Sequence, residues 1–72
     1  MKAIITAKSE LTLNLNQHFT FDILDDDGNT VLTSQTVECS PSNAVAEIAA
    51  KLQAYQAEYE KSQDLEVGME IS

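Results

Sequence analysis

The chain has 72 residues and a formal net charge of −8 at pH 7, and its four basic residues are all lysines. Direct binding to nucleic acid or to an anionic membrane is disfavoured, because both depend on clustered basic side chains. We expect a single domain over residues 1–72, in which a chain this short buries only about 60% of the surface that its unfolded form exposes.

So small a core needs a supplement, and self-association is the one that the composition leaves. Small domains otherwise use disulfides or metal ions, but Cys39 is the only cysteine and no closed set of metal ligands is visible. We therefore expect a homodimer with no cofactor. A lone cysteine fits a reducing compartment, and residues 1–8 hold too short an apolar run for a signal peptide. The expected location is the cytoplasm, since no stretch approaches the ~20 apolar residues of a membrane span.

The first third of the chain carries two strand signals. Residues 3–7 include the β-branched run Ile4, Ile5 and Thr6, which predicts a short strand. Residues 11–23 alternate, with polar side chains at the even positions and apolar ones at every odd position except Gln17, which predicts a sheet with one dry and one wet face. The apolar set is Leu11, Leu13, Leu15, Phe19, Phe21 and Ile23. Polar residues at 14–18 predict a break in the middle, with one long bent strand as the alternative.

Residues 25–29, Asp-Asp-Asp-Gly-Asn, predict a hairpin turn, because Gly28 tolerates positive φ and Asp and Asn favour turns. A three-residue loop sets Ile23 opposite Val31, whereas a two-residue loop sets Ile23 opposite Leu32. We favour the three-residue loop, because it keeps Val37 and Cys39 on the dry face. The same register pairs Phe21 with Thr33 and Gln17 with Val37.

Residues 41–61 predict a long amphipathic helix, with Ser40 as its cap and Pro41 in its first position. Steps of three and four place one apolar stripe on the dry face of the sheet, namely Val45, Ile48, Leu52, Tyr55 and Tyr59. The helix spans about 31 Å against about 23 Å for a seven-residue strand, so it should overhang the sheet. Residues 65–71 alternate again and predict a short final strand beneath that overhang, with a bulge at Gly68.

The expected fold class is therefore α+β, a small antiparallel sheet (a hairpin or meander) packed on one face by a single long α-helix in the C-terminal half, with a short final strand. The opposite helix face holds Ala46, Ala50, Ala54 and Ala57. It is a possible partner contact together with Tyr55 and Tyr59, or a solvated face on which alanine only favours the helix.

No motif names a reaction. An EF-hand with Gly28 in sixth place would need carboxylates at Ile23 and Ser34, so that motif fails. A cysteine nucleophile needs a base, but His18, the only histidine, lies at an even position and Cys39 at an odd one, which predicts opposite faces. We therefore expect no catalytic residue, no metal site and no enzyme activity.

Two functions of different classes remain, with a third, a subunit of a larger phage-like assembly, indistinguishable from the first. The first is a small acidic protein–protein interaction or accessory module that forms a homo-oligomer. The second is an acidic inhibitor of viral or mobile-element type, which imitates nucleic-acid phosphates in the basic groove of a partner protein. Its surface would include Asp22, Asp25, Asp26, Asp27, Glu58 and Glu60. A continuous acidic stripe that joins the hairpin to the C-terminal third would favour the second function.

Overall fold

The structure, a computed structural model, describes every residue from Met1 to Ser72. Strand β1 spans Lys2–Lys8, β2 spans Gln17–Leu24, β3 spans Thr30–Cys39, and helix α1 spans Pro41–Gln63. The strands form an antiparallel meander in the order β1-β2-β3, and α1 packs on one face of it. The α+β class, the antiparallel sheet and the single long helix are confirmed.

The core lies between the odd positions of β2 and the first half of α1. Phe19, Phe21 and Ile23 are buried, and the polar residues between them lie on the outer face, which the helix does not cover. Val37 from β3 and two helix residues, Ala44 and Ile48, complete the buried apolar cluster. The period of two in the second half of residues 11–23 therefore marks the dry face correctly.

The first half of that alternating run is a loop rather than a strand. The predicted break occurs, because β2 begins at Gln17 and residues 9–16, called the β1–β2 loop below, connect it to β1. The Thr12 N–H donates to the Asn16 carbonyl at 2.9 Å and the Leu15 N–H to the Thr12 carbonyl at 3.0 Å. These bonds turn the chain back on itself, so the alternative of one long bent strand is wrong. Leu11, Leu13 and Leu15 are exposed instead of lying on the dry face.

The hairpin between β2 and β3 begins in the predicted register and then departs from it. The Gly28 N–H donates to the Asp25 carbonyl at 3.1 Å, Gly28 has φ 85°, and Leu24 lies opposite Thr30, as a three-residue loop requires. The register then shifts twice. Ile23 lies opposite Leu32, Phe21 opposite Gln35 and Gln17 opposite Cys39, so the three predicted pairs are wrong.

The cause of the shift is a kink at Ser34, whose φ is 55°. The Ser34 N–H donates to Asp22 Oδ1 at 2.9 Å, so this side chain takes the place of a strand partner. Beyond the kink, odd residues of β2 face odd residues of β3 again, and Val37 still reaches the core.

Helix α1 begins as predicted, at Pro41 after Ser40, although the Ser40 hydroxyl makes no capping hydrogen bond. Of the predicted stripe, Ile48 is buried, and Leu52, Tyr55 and Tyr59 are half-buried. Val45 is 81% exposed, and its predicted place against the sheet belongs to Ala44. Only Ser40 separates β3 from α1, so the first turn lies close to the sheet, where alanine fits. The helix is not apolar enough along its length to cross a membrane.

The predicted final strand is absent. Residues 64–72, called the C-terminal segment below, are fully outside the sheet and exposed. Gly68 has φ 91° in a turn closed by a bond from the Met69 N–H to the Glu66 carbonyl at 3.1 Å. The reason is the overhang, since α1 spans about 34 Å and β1 about 23 Å. The segment therefore begins past the end of the sheet, where its own chain offers no strand to pair with.

Candidate interaction surface

The molecule exposes more surface than its size requires. Its accessible surface is 5544 Å², whereas a folded monomer of 7.9 kDa exposes about 4,400 Å² by the usual scaling. The radius of gyration is 15.3 Å, against about 11 Å for a compact chain of this length. About 1,100 Å² of extra surface is therefore open to contact.

Much of the extra surface is apolar. The exposed large apolar side chains belong to the β1–β2 loop, to β1 and the start of α1, and to the C-terminal segment. They are Leu11, Leu13 and Leu15, then Ile4, Ile5 and Val45, and finally Leu65, Val67, Met69 and Ile71. Contiguous apolar surface of this kind on a small protein marks contact sites, whereas single exposed residues do not.

One apolar groove lies between β1 and α1. It encloses about 250 Å³ and is lined only by apolar residues, namely Ala3, Ile5, Val45, Ile48, Ala49 and Leu52. Ala3 and Ile5 project from β1 on the side of the sheet that faces the helix, since they pair with Ile23 and Phe21. The groove stays open because Ala3 and Ala49 are too small to close it. We call it the β1–α1 groove.

The hollow on the other side of the helix has a different character. It lies between α1 and β3, and its lining includes the polar side chains of Gln35, Thr36 and Lys51 beside Tyr55 and core residues. Polar groups there can bind water, so this side has less need of an apolar partner. The two edges of the sheet are therefore chemically unequal.

An acidic cleft lies at the far end of the helix. Asp25 and Asp26 of the hairpin turn meet Gln56, Tyr59 and Glu60 of α1 around a hollow of about 180 Å³ that Met1 also lines. The Asp25 carboxylate accepts hydrogen bonds from the backbone N–H groups of Asp27 and Asn29, which fixes the turn. The Met1 ammonium lies 2.9 Å from Asp26 Oδ1 and holds the end of β1 to the turn.

The ammonium group of Met1 lowers the pKa of the Asp26 carboxyl from 3.8, first by its hydrogen bond and then by its charge. The ion pair therefore stabilises the fold above the ordinary pKa of aspartate, and this contribution is lost as the pH falls through the lowered pKa. We expect an NMR titration of the Asp26 carboxyl carbon to give a value below 3.8, and acetylation of the Met1 amine to restore the ordinary value. An unchanged titration after acetylation would contradict the ion pair.

The other acidic residues do not form one stripe with this cleft. Asp22 lies on the outer face of the sheet and accepts the Ser34 N–H, and Glu38 on the same face lies 2.7 Å from His18 Nε2. Asp27 and Glu58 are exposed. The acidic groups of the hairpin and of the helix therefore meet only where Asp25 and Asp26 approach Glu60.

The chemistry-bearing side chains stay apart. Cys39 packs half-buried against the core, and His18 points from the outer face towards Glu38, so the predicted placement on opposite faces is confirmed. No three side chains of His, Cys, Asp or Glu come together in a way that could hold a metal ion.

The predicted contact residues of the helix divide into two groups. Ala46, Ala50, Ala54 and Ala57 are exposed on the face away from the sheet. Tyr55 packs against the core, Tyr59 lines the acidic cleft, and their ring centroids lie 5.9 Å apart. The tyrosines are therefore engaged within the chain, and the alanine face is open.

Sequence reasoning missed the β1–α1 groove and the exposed apolar loop and C-terminal segment. Alternation at 11–15 and 65–71 is the pattern of a half-buried strand, but a strand also needs a neighbour, and neither stretch has one in its own chain. The signal that could have found the groove is the pair of small residues, Ala3 and Ala49, on the facing surfaces of β1 and α1.

Leu15 combines exposure with an unfavourable backbone, because it has φ 65° without any burial of its side chain. A non-glycine residue in the left-handed region costs about 1–2 kcal/mol. We expect Leu15→Gly to raise the free energy of unfolding by up to about 1 kcal/mol, since the entropy of glycine offsets part of the relief. Urea unfolding would measure it, with Leu13→Gly, which has no positive φ, as the matched control. A gain in the control equal to that at Leu15 would contradict this account.

No protein-family model, no curated protein and no solved structure matches this chain, so its function has to be inferred from its own surface.

Proposed function

We propose that this chain is a small acidic protein–protein interaction module that self-associates and has no catalytic activity. The observation that supports this most is the extra accessible surface of about 1,100 Å² relative to a compact monomer of equal mass. A standard specific interface buries about 800 Å² from each partner. One contact of ordinary size would therefore return the molecule to the exposure of a typical folded protein.

The smallness of the core supports the same proposal. Only 7 of 72 residues are buried, and the single cysteine is free, so no disulfide supplements the core. Association removes apolar surface from water and adds stability that the monomer lacks. A free thiol is stable in a reducing compartment, which favours action in the cytoplasm.

Sedimentation equilibrium from micromolar to millimolar concentration tests the proposal. We expect a concentration-dependent dimer that persists at high salt, because an apolar interface is not weakened by screening of charges. The melting temperature should rise with protein concentration for the same reason. A strictly monomeric chain at millimolar concentration would contradict self-association.

A second candidate function, an acidic decoy for a basic groove, has one observation in its favour. Asp25 and Asp26 lie beside Glu60 at one end of the molecule and concentrate negative charge there. Competition with duplex DNA for a basic DNA-binding protein tests it, at about 50 mM and about 200 mM salt. The decoy requires displacement that is stronger at the lower salt and is lost in Asp26→Asn/Glu60→Gln. Equal failure of the parent chain and this variant to displace the DNA would contradict it.

A further inference from the structure

The C-terminal segment has the pattern of a strand without a neighbour. Leu65, Val67, Met69 and Ile71 alternate with Glu66, Gly68 and Glu70, and all seven are exposed. The only backbone hydrogen bond between two of its own residues runs from Met69 to Glu66. Extending the segment into a strand therefore breaks one bond and uncovers no buried side chain.

The outer edge of β1 is a free strand edge beside an apolar groove. β1 pairs only with β2, so the backbone N–H and C=O groups on its other side have no strand partner. The β1–α1 groove opens next to this edge, and Ile5, which projects into it, is half-exposed. A strand added here would complete backbone hydrogen bonds and place alternate side chains in the groove.

The charges of the two surfaces are complementary. β1 carries Lys2 and Lys8 and no acidic residue, whereas residues 64–72 carry Asp64, Glu66 and Glu70 and no basic residue. Every other strand and the helix hold more acidic than lysine side chains, so β1 is the one positive element of a chain with net charge −8. An acidic strand is therefore drawn to β1 and repelled elsewhere.

The segment cannot easily reach β1 of its own chain. α1 passes Met1 and Asp26 at Tyr59 and continues to Gln63, so the segment starts beyond the end of β1. To return, it would have to reverse direction and run parallel to β1, and parallel pairing is slightly weaker than antiparallel pairing. A second copy has neither restriction.

From these four observations we infer that the C-terminal segment of one copy adds antiparallel to the free edge of β1 in a second copy and fills its β1–α1 groove. Val67 lies opposite Ile5 of the other copy, which places Met69 beside Ala3 and Glu70 beside Lys2. A two-fold axis makes the two contacts identical and closes the dimer. This inference rests on the proposed self-association and names the surface that mediates it.

Disulfide trapping tests the contact directly. In a Cys39→Ser background, the chain with Ile5→Cys is mixed with the chain with Val67→Cys and oxidised. We expect a covalent heterodimer on a non-reducing gel, with the linked peptides identified by mass. Ile4→Cys, which replaces a neighbour on the outer face, is the matched control and should not be trapped, because its Cβ points away from Val67.

The same two substitutions in one chain distinguish the copies. Ile5→Cys/Val67→Cys should give covalent dimers, whereas a linked monomer would place the segment on its own β1 and overturn the inference. Failure of the mixed chains to link, when Ile4→Cys also fails and the parent chain is dimeric, would overturn it too but leave the proposed self-association standing. A parent chain that is monomeric at every concentration would remove both.

A lysine in the groove gives an independent equilibrium readout. Ile5→Lys should raise the dissociation constant of the dimer more than tenfold, because it places a charge among apolar side chains, whereas Ile4→Lys on the outer face should leave it within about twofold. Both positions are exposed in the monomer, so folding is retained and circular dichroism can verify it. Equal dissociation constants for the two variants would contradict the contact.

Discussion

Phe21→Ala is expected to unfold most of the chain at room temperature. Phe21 is 2% exposed and is the most buried side chain of the molecule. Loss of a buried phenylalanine ring costs about 3–5 kcal/mol. A domain of this length has a total free energy of unfolding of about 4–11 kcal/mol, and a core of six residues places this one towards the lower end. Urea unfolding followed by circular dichroism would measure the loss.

The matched control for this experiment is Leu13→Ala. Leu13 comes from the same alternating run and has the same odd parity, but its side chain is 100% exposed. Its replacement should change the free energy of unfolding by less than about 0.5 kcal/mol. Similar losses at Leu13 and Phe21 would mean that the β1–β2 loop is part of the buried sheet.

Ile48→Ala is the second large effect that we expect, with a loss of about 2–5 kcal/mol. Ile48 is buried and is one of two helix residues in the core cluster, so its side chain holds α1 to the sheet. The melting temperature should fall. Helical circular dichroism should decrease at lower urea than in the parent chain, because an isolated helix is only marginally stable in water.

Val45→Ala, one turn earlier in the same predicted stripe, is the control for this second effect. Val45 is 81% exposed, and alanine favours the helix more than valine does. We expect no loss of stability in dilute protein, where the β1–α1 groove is unoccupied. A loss at Val45 as large as that at Ile48 would restore the sequence-based orientation of the helix.

The sequence identified the parts of the fold that local periodicity decides. Phe19, Phe21 and Ile23 had to share a face, and the steps from Ile48 to Tyr59 had to form one side of a helix, because these follow from two and 3.6 residues per repeat. Gly28 and the aspartates before it gave the turn. The separation of Cys39 from His18 followed from parity alone.

The errors arose where a contact distant in sequence decides the outcome. The register of β3 depends on a bond from the Ser34 N–H to the Asp22 carboxylate, which a two-state choice of loop length does not include. The rotation of α1 depends on the one-residue connection after Cys39, which brings Ala44 rather than Val45 to the sheet.

The candidate site was harder to predict than the fold. Alternation in residues 65–71 correctly indicated a capacity to form a strand, but the presence of a neighbour is a property of the assembled molecule. The groove needs the sheet order, the position of α1 and the small size of Ala49 at the same time. None of these is a local property of the sequence.

The kink at Ser34 has a consequence for how far an assembly can grow. An open sheet with two regular edges can recruit chains indefinitely and become a fibril. Here the β3 margin is bent by a residue with φ 55° and interrupted twice in its pairing, so it is a poor template for a newcomer. Only one margin accepts a strand, and recruitment therefore stops at a finite size instead of propagating.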